Sequence, residues 1–519
     1  DVEYPTCPTT LSSAAAVIRK YYPAPAPAEH QSNIRTQLDM GGDTNGILRP
    51  DQLGAEEQAQ AKKHTVYRFP AEQQVMVTDR SNERMMVKSM LARLSVKTKN
   101  LNETATKELA TNLWKRVRDQ FDWTVDQTLK DTCFKEACAK FEDRGHDLGD
   151  LKDIINWTER GSSYVKAFLK AQQKPTGGKA PLTRDKAGQA ISAWDKSLNF
   201  QINTFTRMLE HVMVNQSKGV VRITTGMTDL EVQALLEAEG NPGDRYLAND
   251  WTEFDSSQNA VNREVLLMAL EEIGCPEGIR EAFRLQLSER RICSDALSLT
   301  VHDKKDSGAP HTLIDNCLVN LSVLLDVMSG FDKVYIKGDD SLARGRDVQF
   351  DVKRMKFYTN ECNWKFKPES GNSAEFVSFL VNRHGCAFNL PRLAGKVISR
   401  CYTNKEDFDN YREAIGVTLR YNKIDEGINT NRVNSFHYNQ TVGAEADFDV
   451  LQSFLIDFAQ GRIPFTRTQS YERSCYVTDQ RPGLGESHRV SDEHRCVTLK
   501  RHGGRALRAA ATVASNLFG

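Results

Sequence analysis

The sequence predicts an α+β fold, a centre of strands and helices flanked by mainly helical segments, and three observations carry that expectation. Between Arg245 and Gly345, short apolar strands alternate with helical stretches, as RYLAND, NREVLLMALEEIG, LIDNCLVNLSVLLDVM and KVYIKGDDSLAR succeed one another. From about Ala71 to Gly240 apolar residues recur at helical spacing, for example in ATKELATNLWKRVRDQFDWTVDQTL, where Leu109, Leu113, Val117 and Phe121 read as core. The segment KVYIKGDDSLAR has the form of a hairpin: Val334, Tyr335 and Ile336 lead up to a Gly338-Asp339 tip, and Leu342 and Ala343 lead away from it.

The remaining elements fall around this centre. A chain of 519 residues holds roughly three packed units at ordinary domain sizes, which excludes a single small binding module. Residues 1–60 read as an N-terminal extension, because KYYPAPAPAEHQSN followed by GGDTNG favours an extended connector. Residues 61–239 are mainly helical, 240–391 are α+β with the densest motifs in 245–350, and 392–470 are helical again. The polar tail 471–519, with RPGLGESHRVSDEH, is expected to be disordered, and its last stretch KRHGGRALRAAATVASNLF to form at most a peripheral helix. In RMMVKSMLARLSVKTK the Met and Leu residues stand at helical spacing and read as core.

Composition excludes some function classes. Lys and Arg number 69 and Asp and Glu 69, so any case for a polyanionic partner must be local. No run approaches the ~18 apolar residues of a membrane span, so no intrinsic transmembrane segment is expected. The eleven Cys are scattered from Cys7 to Cys496, and Cys133 with Cys138 lacks zinc-site spacing, which points to free thiols in a reducing compartment. The start at Asp1 and the end at Gly519 read as cuts in something longer, such as a polyprotein.

The chemistry-bearing residues are carboxylates. In LANDWTEFDSSQN, Asp250 ends a strand, Asp255 follows five residues on, and Ser256 and Ser257 are placed to cap the next helix. The adjacent Asp339 and Asp340 repel each other, a cost that falls when a cation sits beside them. Two carboxylates from different strands are suitable ligands for a pair of Mg²⁺ ions, with Mn²⁺ as a substitute; such a pair serves in-line nucleotidyl transfer. Between them, DSGAPHTLIDNCLVNL supplies a Ser307-Gly308 loop and then a helix with Thr312 and Asn316 on one face. An Asn amide there can hydrogen-bond a ribose 2′-hydroxyl. Taken singly, each has a plainer reading as a capped turn, a hairpin tip or a helix start. A basic arm from Arg160 to Lys186 carries Lys174, Arg184 and Lys186 against one acid, Asp185, around Gly177-Gly178.

The order DWTEFD, SGAPHTLIDN, GDDS resembles motifs A, B and C of the RNA-dependent RNA polymerases of positive-strand RNA viruses. FDSSQN, the Ser after GDD, FLKAQQKP and DKAGQAISAW resemble the alphavirus-like superfamily, hepevirus-like and tobamovirus-like polymerases in flavour. NECNWKFKPE and AEFVSFLVNRHGCAFNLPRL look like motifs D and E, so that the resemblance spans Ser162 to Arg400. It implies a right-hand polymerase, with fingers over 61–239 (motif F near 162–194), a palm over 240–391 and a helical thumb over 392–470.

Residue by residue, the resemblance implies Asp250 and Asp339 as metal ligands with Asp340 in support. Asp255 and Asn316 would read sugar hydroxyls, beside Thr312 and a mobile Ser307-Gly308 loop. Lys365 or Lys367 would be the general acid for pyrophosphate, and Lys174, Arg184 and Lys186 would contact triphosphate or RNA. The implied partners are template and nascent RNA, NTPs, and helicase and capping domains of the same polyprotein, in membrane-associated replication complexes of the host cytoplasm. Two rivals share the palm carboxylates: a reverse transcriptase, disfavoured by the Asp255 and Asn316 pairing, and a non-catalytic RNA-binding scaffold, disfavoured by the intact aspartates.

Overall fold

The computed structural model describes residues 99–148, 189–295, 297–305, 307–400, 404–421, 428–442 and 448–463, with short pieces at 13–14, 16–17, 45–48, 76–78, 83–94, 164–170, 173–175, 402, 465 and 497–499. Its centre is a five-stranded sheet in the order Phe366–Gly371, Arg245–Trp251, Asp340–Gly345, Lys333–Lys337, Val221–Ile223. The first four strands pair antiparallel and the last joins in parallel.

Side chains of the central strands alternate between two cores, as the two-residue period of a strand requires. Leu247, Trp251, Val334, Ile336 and Ala343 enter one apolar cluster, with the helices Glu103–Arg118, Lys196–Asn215, Ala260–Glu272 and Thr312–Val327. Tyr246, Ala248, Tyr335 and Leu342 enter the other, with the helix Asp229–Ala238, a small sheet (Ser373–Phe376, Phe379–Asn382, Gly385–Phe388) and the C-terminal helices. Covering both faces explains why these strands read as nearly continuous apolar runs. A third, six-stranded sheet gathers distant pieces in the order Val497–Leu499, Asn45–Leu48, Leu297–Val301, Arg290–Cys293, Tyr164–Lys170, Gln189–Ala193.

The α+β expectation holds. Leu109, Leu113, Val117 and Phe121 are buried, as are Met86, Met90, Leu91 and Leu94. After the strand Gly385–Phe388 the chain runs through the helices Leu390–Ser399, Lys405–Tyr421, Ile428–Val442 and Phe448–Ala459.

Other local expectations change. The helix after Asp255 is capped by Asn259, which forms a reciprocal capping box with Asn262, while Ser256 and Ser257 bond back to the carbonyls of Glu253 and Phe254. Asn has the same short acceptor as Ser, so sequence alone had no means of ranking them. Within the stretch read as a connector, Asn45–Leu48 is a strand, and Val497–Leu499 in the polar tail pairs with it. The strand Tyr164–Lys170 within the basic arm pairs with Gln189–Ala193, which follows the arm. Arg184 and Lys186 lie outside the described residues; Lys174 sits in the strand Gln173–Pro175, opposite Val77.

Candidate active site at the end of the central sheet

The hairpin tip forms as its residues require. Lys337 and Asp340 are the last pair of the ladder, leaving the two-residue loop Gly338-Asp339. Gly338 has φ +65 and Asp339 is not among the positive-φ residues, the pattern of a hairpin turn that needs glycine at its first central position. The neighbouring strand brings Asp250 to the same end of the sheet. Lys367 stands opposite Asp250 in the register of the next strand, and its Nζ lies 2.7 Å from Asp250 Oδ2.

This resolves where the two candidate lysines go. Lys367 meets the carboxylate, whereas Lys365 is exposed and joins the sheet end through its backbone carbonyl, which accepts from Thr252 N–H at 3.1 Å.

The electrostatics of the cluster suit a cation. Asp339 and Asp340 touch solvent, yet protein crowds their other sides. Burial, and then repulsion from Asp255 and Asp250, raises the Asp339 carboxyl above its ordinary range. Burial and the adjacent Asp339 push Asp340 up to about 6, with Glu375 and Asp250 adding and Arg392 opposing. Among the described residues no three His, Cys, Asp or Glu side chains form a ready-made metal cage. Mg²⁺ does not require one, since it commonly keeps one or two protein carboxylates and takes water and phosphate for the rest. The donor set therefore fits such an ion.

A second cluster adjoins the first. Asn316 Nδ2 donates to Asp255 Oδ1 at 2.7 Å, and Ser307 Oγ donates to Asp255 Oδ2. Ser307 also accepts from Gln189 Nε2 at 3.2 Å, and its carbonyl accepts from Ser192 N–H at 2.7 Å. Gly308, at φ +110, follows so closely on this strand that an added Cβ would lie 2.5 Å from Ile191 Cγ2 and 2.7 Å from the Ser192 carbonyl. Only glycine fits there. The loop expected to be mobile is thus held on several sides in this structure. Thr312 opens the helix Thr312–Val327, on the same face as Asn316.

Sequence reasoning missed the residues that join the two clusters. Asn320, fully buried and one turn beyond Asn316, donates from Nδ2 to the carbonyls of Gly338 at 3.1 Å and Asp339 at 3.0 Å. Its Oδ1 accepts from Trp251 Nε1 at 2.9 Å. Cys317 Sγ accepts from Gly338 N–H at 3.0 Å. Buried Lys305 also escaped notice. The usable signal was the continuation of the Thr312, Asn316 spacing to Asn320, a polar stripe on an otherwise apolar helix.

Acidic groups at the end of the central sheet thus stand beside polar side chains of the neighbouring helix Thr312–Val327. Residues 92–392 match the family described as RNA dependent RNA polymerase. The chain belongs to that RNA-dependent RNA polymerase family, in the alphavirus-like group of positive-strand RNA viruses. It is similar to the methyltransferase/helicase/RNA-directed RNA polymerase of Helicoverpa armigera stunt virus, 30% identical over 365 residues, covering 70% of this chain and 21% of that protein. The protein of the same description from Nudaurelia capensis beta virus is 29% identical over 56% of this chain and 15% of its own length. The non-structural polyprotein pORF1 of avian hepatitis E virus is 28% identical over 48% of this chain and 16% of its own length. The chain thus spans about a fifth or less of the length of these relatives.

Proposed function

We propose that this chain elongates RNA on an RNA template, replicating and transcribing a positive-strand viral genome by two-metal nucleotidyl transfer. The observation that carries the reading is the meeting of Asp250 with the Gly338-Asp339-Asp340 turn on adjacent strands, beside the Asp255 and Asn316 pair.

In this reading the central sheet is the palm, the N-terminal helices and outer sheet are fingers, and the helices after Leu390 are the thumb. Asp250 and Asp339 hold the divalent ions, with Asp340 in support. When bound, Mg²⁺ or Mn²⁺ would activate the primer 3′-hydroxyl and neutralise charge on the leaving pyrophosphate. Asp255 and Asn316 exchange their mutual bond for bonds to the ribose hydroxyls of the entering NTP. Ser307 and Gly308 shape the wall of the nucleotide site. Lys367, held at the sheet end by Asp250, is the better placed of the two lysines to deliver a proton to pyrophosphate. Lys174, Arg184 and Lys186 contact triphosphate or RNA.

The relatives' names couple a polymerase with methyltransferase and helicase; similar domains of one polyprotein are the proposed partners, in cytoplasmic membrane-associated complexes. No helix among the described residues is long and apolar enough to cross a membrane, so attachment would come from such partners or from other segments.

The test is primer extension on an RNA template with Mg²⁺ or Mn²⁺, comparing the wild type with Asp339→Ala/Asp340→Ala. Extension by the wild type and its loss in the double variant are expected. Equal extension by both would refute the assignment, and preference for dNTPs would turn it toward a reverse transcriptase.

A further inference from the structure

Lys305 is a long cationic side chain in a place where none is expected. It is 2% exposed, and its Nζ lies 2.6 Å from Asp315 Oδ2, a carboxylate equally buried. The same Nζ donates to Asn316 Oδ1 at 2.7 Å, and Gln258 Nε2 donates to that oxygen at 2.8 Å. An ammonium only donates and a carboxylate only accepts. The amide of Asn316 therefore has one permitted orientation: oxygen toward Lys305, NH₂ toward Asp255. Reversed, it would set its NH₂ against two donors and its oxygen against a carboxylate.

We infer that Lys305 is a specificity-determining positioning residue, which locks the Asn316 amide so that its NH₂ is offered toward the sugar, with Asp315 as the counter-ion that permits the cation to be buried. The inference rests on the proposed sugar-reading role of Asp255 and Asn316. It explains why a charge is buried at all. Removing an ammonium from water is costly, and a neutral donor would satisfy the oxygen less strongly than a charge-assisted bond. Asp315 is the residue before Asn316 in the same helical turn, so cation, counter-ion and amide form one unit. Lys305 itself need not touch the nucleotide.

Discrimination between an NTP and its 2′-deoxy analogue isolates this role. Single-nucleotide incorporation is measured with both substrates, and the ratio of their kcat/KM values is compared across variants. Lys305→Met alone strands the Asp315 carboxylate, so the informative variant is Lys305→Met/Asp315→Asn, in which both charges are removed. Its ratio should fall about tenfold or more, the scale of one lost charge-assisted hydrogen bond. Lys305→Gln/Asp315→Asn, which keeps a neutral donor one bond shorter and strands no carboxylate, should lower the ratio in the same direction and supplies the answer if the first pair does not fold. A general structural defect would slow both substrates alike and leave the ratio in place.

A folded variant of either kind whose ratio stays within about twofold of wild type overturns the inference. Asn316→Ala separates the two levels. If it leaves the ratio unchanged, the sugar-reading role fails; if it lowers the ratio while the Lys305 variants do not, only the role of Lys305 fails.

Discussion

Replacing Asn320 with Leu, which has nearly the same shape, would separate the turn that carries Asp339 from the helix that carries Asn316. The variant loses the bonds from Asn320 Nδ2 to the Gly338 and Asp339 carbonyls, at 3.1 and 3.0 Å; the Asp340 carbonyl, at 3.5 Å, is too distant to count. It also leaves the Trp251 indole N–H, now bonded at 2.9 Å, without that acceptor. Two neutral hydrogen bonds at about 1 kcal/mol each and one stranded buried donor at about 1–3 kcal/mol give a loss of about 3–5 kcal/mol. Chemical denaturation followed by tryptophan fluorescence measures it. Because the Gly338-Asp339 turn and Trp251, next to Asp250, lose their common tie, the proposed catalytic role predicts that kcat for extension falls at least about tenfold with KM for NTP little changed. A folded Asn320→Leu protein with wild-type kcat, or one destabilised by less than about 1 kcal/mol, would refute this account of how the turn is held.

Two further outcomes follow from the same geometry. Lys367→Met, which removes the partner of Asp250, should reduce kcat about tenfold or more, the usual range for a lost proton donor, while Lys365→Met stays near wild type; the reverse order in a primer-extension assay would assign the role to Lys365. Lowering the pH through about 6 should weaken Mg²⁺ binding, because Asp340 titrates there and a proton competes with the ion, approaching tenfold per pH unit for each proton displaced. Without a cation the sign for stability is opposite. Asp340 is harder to ionise folded than unfolded, so its contribution to stability is lost as pH rises from the ordinary carboxylate range through 6 and regained as pH falls. Mg²⁺ titrations and melting curves at about pH 5 and 7, on either side of that titration, check both signs.

The α+β centre was legible because strand and helix periods differ, and because both faces of the central strands are apolar. The carboxylates were legible as an ordered series, Asp250 before Asn316 before Asp339. What could not be read was the connection between them. Asn320 and Lys305 look like ordinary polar residues in the sequence, and only the packing of the helix Thr312–Val327 against the turn shows that each is buried and what it bonds. The choice between Lys365 and Lys367 likewise depended on register, which sets which residue of NWKFK stands opposite Asp250. Pairing of Asn45–Leu48 with Leu297–Val301 crosses some 250 residues of chain, a separation that local pattern cannot report.

The helix Thr312–Val327 bears on more than the placing of side chains. Asn316 and Asn320 are one turn apart, about 6 Å along a rigid axis, and under the proposed roles one inspects the sugar while the other sets the catalytic turn. Selectivity and speed are then mechanically coupled. A substitution that shifts this helix to turn away a 2′-modified nucleoside analogue would drag the Gly338-Asp339 turn with it, so under those roles resistance won by that route would carry slower extension.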